Sequence, residues 1–153
     1  MTGWRVGFAA GEMSVIEALG ILQAQSSTHI TSFVQNAAIA ALQLGAADFQ
    51  PRLRDMQERR DLTVRILSSI PHLKMEIPKG AFYAYPDLAY YTEAFEGGSV
   101  TLSEYLLNEA GVAVVPGKPF GNDQCIRISF AKDLKTLESG LNRIRAALQK
   151  IRR

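Results

Sequence analysis

One stretch constrains this chain more than any other: residues 125–131, Cys-Ile-Arg-Ile-Ser-Phe-Ala, read as a strand that carries a permanent cation into a protein interior. Two-residue alternation puts Ile126, Ile128 and Phe130 on one face, fit for a core, and Cys125, Arg127, Ser129 and Ala131 on the other. Small residues surround the guanidinium on that second face. Arginine keeps its charge in a protein, so an Arg held there calls for a carboxylate or phosphate, best met through two parallel hydrogen bonds. Two readings fit the pattern: a binding site for an anion, or an edge-strand arginine paired with a nearby Asp or Glu.

Length allows such a strand a real core, since 153 residues can bury about two thirds of their unfolded surface. Hydrophobic residues at 47% and charged residues at 21% suit a globular chain with neither disorder nor a membrane span. A net charge of +2, with Lys and Arg scattered among Asp and Glu, argues against a nucleic-acid partner. The nearest basic run is Lys150, Arg152 and Arg153, where cations complement a helix C-terminus. Cys125, the lone cysteine, fits a reducing compartment, and His29 and His72 are too few and too far apart to ligate a metal. No basic region followed by an apolar stretch opens the chain, so the expected address is the cytoplasm.

In chain order, residues 4–10 read as a Gly-rich strand with Arg5 on its bare face, starting abruptly enough to suggest a fragment. Ser14 and Glu17 have capping-box spacing for a helix to about Gln25. A second, alanine-rich helix starts near Thr31 or Ser32 and ends at Gly45, with Pro51 tolerated at the front of the next segment. A long amphipathic helix then covers 53–70 with a solvated, charged face, and Pro71 stops it. Composition shifts between about Ser68 and Leu73 toward short strands.

Residues 74–77 and 81–85 are expected to pair as a hairpin, and 87–100 to form a flexible loop with at most a short helical turn. Thr101 and Glu104 suggest a capping box for a helix over 102–110 that Gly111 terminates. A strand over 112–115 precedes the stiff loop 116–121, which can hold a wall. After the Arg127 strand, Asp133 is the expected N-cap of a final helix whose stripe runs through Leu137, Leu141, Ile144 and Leu148. The architecture predicted is α/β, a small sheet with helices on one side from roughly Leu73 onward.

Taken together, Thr2-Gly3-Trp4-Arg5-Val6-Gly7, Arg59-Arg60-Asp61, Pro78-Lys79-Gly80-Ala81-Phe82-Tyr83, the Val-Val-Pro-Gly within 111–121, and Ile126-Arg127-Ile128-Ser129-Phe130 change the reading. In this order and spacing, over essentially the whole chain, they resemble the C-terminal part of the class I and II, fold-type I aminotransferases of the aspartate aminotransferase type. The resemblance implies pyridoxal 5'-phosphate as cofactor, amino acids and 2-oxo acids as substrates, and a homodimer in the full-length protein. It implies that Arg5 binds the cofactor phosphate and Arg127 the substrate α-carboxylate. It also implies that residues 1–70 are a remnant of the large cofactor-binding domain with its connecting helix, and 71–153 the small domain. The family's Schiff-base lysine precedes the segment matching Thr2 to Arg5, so none of Lys74, Lys79, Lys118, Lys132, Lys135 and Lys150 matches it and the chain alone is expected to be inactive. A lyase or synthase of the same fold, or a non-catalytic remnant that serves association, are the alternatives.

Overall fold

The computed structural model describes residues 1–151, apart from the side chain of Thr2, so Arg152 and Arg153 of the basic run lie outside the described residues. Its first helix, α1 (Met13–Ser26), is flanked by Glu12 rather than opened by a Ser14–Glu17 box, and no side chain caps it. The second, α2 (Ser32–Leu42), buries Val34 and half-buries Ala37, Ala38 and Ala41, as the alanine stripe requires. The expected strand over 4–10 is absent: a single 3-10 turn covers Thr2–Trp4, and residues 6–12 have no regular structure. An isolated strand has nothing to take its backbone N–H and C=O groups, and this part of the chain supplies no second strand among the described residues.

Helix α3 (Ala46–Leu67) starts earlier than its apolar spacing suggests, because Gly45 opens it as well as closing α2. The Asp48 carboxylate accepts from the Gly45 N–H at 2.8 Å, the reach-back half of a capping box. Pro51 consequently lies in the second turn, where it forfeits one backbone hydrogen bond, rather than in the exempt first turn. The chain divides near this point into two compact units, Met1–Phe49 and a second beginning at Gln50.

The second unit holds the sheet and the main core. Strand β1 (Tyr83–Ala84) leads into a short helix, α4 (Ala89–Thr92), and then α5 (Gly98–Ala110), which closes on Gly111 in the left-handed region at φ 59°. Residues 87–100 hold the expected short helical turn in α4, but they are ordered and inward-facing rather than flexible, with Leu88, Tyr91, Thr92 and Ser99 buried. Strand β2 (Val115–Pro116) is shorter than predicted, and β3 (Ile126–Ser129) is followed by α6 (Leu134–Gln149). The sheet order is β1-β3-β2, both pairings antiparallel, which makes the Arg127 strand central and rules out its reading as an edge strand. No hairpin forms between 74–77 and 81–85; β1 pairs with β3, and Lys74 bridges to Asp87 instead.

Ile126, Ile128 and Phe130 are all buried against Leu102, Leu106, Leu137, Leu141 and Leu148, the first-named face of the alternation. Burying each such side chain contributes about 1.5–3 kcal/mol. Helices together with a small antiparallel sheet give the α/β class the sequence predicts.

Asp133 caps α6 as its position predicts: its carboxylate accepts from the Thr136 N–H at 2.9 Å. That bond, with Lys132 adding a smaller effect, holds the carboxyl below the ordinary 3.8. A group depressed in the folded state contributes stability above its unfolded pKa and loses it as pH falls through the folded one. Asp133→Ala is accordingly expected to melt below the parent chain at neutral pH, with the gap closing as pH drops below 3.8. Thermal melts of both chains in acid check this; a gap that stays constant would exclude the charge-dependent cap.

Candidate active site

Arg127 leaves β3 on the face opposite the core. Val115 lies directly across from it in β2, and Tyr83 lies across from Ser129 in β1, one diagonal step from Arg127 on the same face. The guanidinium carbon sits 4.5 Å from the centre of the Tyr83 ring and 4.7 Å from that of Phe120. Two aromatic faces therefore hold the cation, each worth about 0.5–2 kcal/mol depending on how dry the contact is. Among the described residues no ion pair to Arg127 is found, whereas Arg60 pairs with Asp61 at 2.8 Å. Its Nε is buried and has no hydrogen-bond acceptor. An unsatisfied buried donor costs about 1–3 kcal/mol, more when charged, so the geometry leaves a standing demand for an anion.

Phe120 reaches this position from the loop 116–121, whose prolines and glycines predict only a stiff wall. Residues Lys118–Phe120 form a 3-10 turn between Gly117 and Gly121. Gly117 is required by space: a Cβ there would collide with the backbone oxygens of Asn122 and Cys125. The Tyr85 hydroxyl donates to the Gly117 carbonyl at 3.3 Å, and the Tyr85 ring meets Phe120 edge-on with centroids 6.4 Å apart. Partial burial raises the Tyr85 pKa, and Cys125 adds to it, so the phenol stays a donor. Tyr83 also lines an open groove of about 720 Å³ together with Lys74, Lys79 and Tyr85.

Three of these contributors, Tyr83, Phe120 and the Gly117 turn, lie in segments singled out in the sequence, yet their convergence on Arg127 depends on strand register that no local pattern reveals. Arg5 belongs to the first unit. It is exposed, has a left-handed backbone at φ 53°, and makes no ion pair or hydrogen bond with the described residues. A Cβ on either neighbouring glycine, Gly3 or Gly7, would meet nothing within 4 Å. An exposed guanidinium flanked by bare glycines leaves room for an anionic group to approach the backbone. Among the described residues there is no cluster of acidic, His and Cys side chains able to hold a metal, and no helix long and apolar enough to cross a membrane.

The profile of the family "Aminotransferase class I and II" matches residues 1–144. An aspartate aminotransferase of Pinus pinaster is 41% identical over 99% of this chain and 33% of its own length. A bifunctional aspartate aminotransferase and glutamate/aspartate-prephenate aminotransferase of Petunia hybrida is 43% identical over 99% of this chain and 34% of its own. The crystal structure of an aspartate aminotransferase from Rhizobium meliloti superposes with a TM-score of 0.83 at 35% identity, covering 99% of this chain and 40% of that one. The chain spans about a third of the length of the curated relatives it matches. With its fold, its motifs and its sequence all in agreement, the chain belongs to the class I and II aminotransferases.

Proposed function

We propose that this chain is the substrate-gripping, C-terminal portion of a pyridoxal-phosphate-dependent aminotransferase that moves an amino group between an amino acid and a 2-oxo acid. Arg127 as the anchor of the substrate α-carboxylate is the centre of the reading, and one observation carries it: a half-buried guanidinium between two rings, its Nε without an acceptor and no ion pair to it among the described residues. A carboxylate can take two parallel N–H donors at once and satisfy a cation that the fold has already ordered. Tyr83 and Phe120 restrict the guanidinium to one plane, so a bound amino acid is held in one orientation before any chemistry starts.

Arg5 in this reading holds the phosphate of pyridoxal 5'-phosphate. When bound, that cofactor supplies the electron sink for chemistry at Cα. Residues 1–70 belong to the large cofactor-binding domain and 71–153 to the small one, with a cytoplasmic homodimer as the setting of the full-length enzyme.

The 153-residue chain alone is expected to take up pyridoxal phosphate weakly and without a covalent bond, because none of its lysines matches the family's Schiff-base position. An absorbance titration, borohydride reduction and peptide mapping test this, and Arg5→Ala should weaken whatever affinity is found. Stoichiometric labelling of one lysine accompanied by turnover would overturn the assignment of the chain as a grip without a nucleophile.

A further inference from the structure

We infer that Asp123 and Ser99 form a latch that positions Phe120, and through Phe120 the guanidinium of Arg127, so that both are positioning residues for the anion grip. The inference rests on the carboxylate reading of Arg127 for its functional consequence but stands on its own geometry. Ser99, fully buried, donates its hydroxyl to the Asp123 carboxylate at 2.6 Å, and its backbone N–H donates to the same oxygen at 3.0 Å. Its hydroxyl oxygen in turn accepts from the Lys118 N–H at 3.2 Å. Lys118 opens the 3-10 turn that ends in Phe120, whose ring lies 4.7 Å from the Arg127 guanidinium.

One buried hydroxyl thus ties both ends of the loop to the start of α5. Asp123 supplies from 24 residues away the helix cap that the Thr101–Glu104 spacing only suggested. The backbone is shaped around this contact. Gly98 adopts φ 57°, and a Cβ there would lie 2.7 Å from the Asp123 carboxylate. Hydrogen bonds from Ser99 also hold the Asp123 carboxyl below its ordinary pKa, consistent with a charged acceptor in the latch. Phe120 itself is half-exposed at 51%, with little core around it to hold the ring in place, so its tether carries that role.

The 15N-labelled chain tests this. A buried Nε shields its proton from solvent exchange, and two ring faces should displace the Arg127 Nε–Hε signal upfield of those of exposed arginines; Arg127→Lys assigns it. Asp123 is exposed, so Asp123→Ala should fold, as circular dichroism can verify. In the ligand-free chain Asp123→Ala and Ser99→Ala are expected to shift the signal toward its position in Phe120→Leu. Asp123→Asn, which keeps an acceptor oxygen, should stay near the parent.

Titration with 2-oxoglutarate should then show affinity roughly two- to thirtyfold weaker in Asp123→Ala, the range set by losing one cation–aromatic contact. A signal unmoved by Asp123→Ala overturns the latch. So does a signal that moves while affinity stays at the parent's value. Should the parent's Arg127 signal ignore 2-oxoglutarate altogether, the carboxylate reading fails, and the ligand-free shift still decides the latch.

Discussion

Replacing Arg127 with Ala in an active enzyme that carries this segment is expected to lower kcat/KM roughly thirtyfold to several thousandfold, with cofactor retention nearly intact. Removing one partner of a desolvated charge pair costs about 2–5 kcal/mol, which converts to that range. The geometry favours a large value, because the Tyr83 and Phe120 rings keep solvent from the faces of the guanidinium. Arg127→Lys should recover only part of the loss, since a point charge reproduces neither the bidentate fork nor the flat stack against two rings. Cofactor affinity and half-reaction rates distinguish this from a structural effect. If the variant sheds cofactor while its remaining holoenzyme uses amino acids normally, the assignment of Arg127 to the substrate is wrong.

The second large effect should come from Gly117→Ala, a change of one methyl group in a position with no strained backbone angle, φ being −78°. An added Cβ would collide with two backbone oxygens, those of Asn122 and Cys125. Neither can rotate aside as a side chain could. Overpacking of this kind costs about 3 kcal/mol or more. For a unit of about 100 residues that is a fall in Tm of roughly 12–24 °C. Gly121→Ala makes the control, because Gly121 has φ 85° but open space around its missing Cβ. Its cost should be the left-handed penalty alone, roughly 1–2 kcal/mol. Equal melting temperatures for the two variants would mean that the turn relaxes freely and does not fix Phe120.

Several local features were legible, although the Ser14–Glu17 spacing opens no helix. The alternation of Ile126, Ile128 and Phe130, the left-handed Gly111 and the Asp133 cap all sit where sequence spacing puts them. What escaped is non-local. Ser99 and Asp123 are 24 residues apart, and nothing in either neighbourhood announces the other. The Thr-x-x-Glu spacing at Thr101 places the helix start four residues too late, because the actual cap comes from another loop. The strand over 4–10 failed for the complementary reason: side-chain alternation describes a face, but a strand exists only if a neighbour accepts its backbone bonds. For the site, Arg127 was identifiable by its charge in an apolar strand, whereas its aromatic holders required the β1–β3 register for Tyr83 and the folded turn after β2 for Phe120.

The brevity of the sheet has a consequence for assembly. Its two outer strands are two residues each, and one of them is Val115–Pro116, in which proline has no N–H to offer. α5 packs beside that strand as well. An arriving extended segment therefore finds almost no ladder to copy, on either margin, and growth by strand addition is blocked at the level of the backbone. Recognition between this unit and other polypeptide must run through side chains and helix surfaces, whose chemistry can be selective, rather than through main-chain pairing, which accepts nearly any sequence.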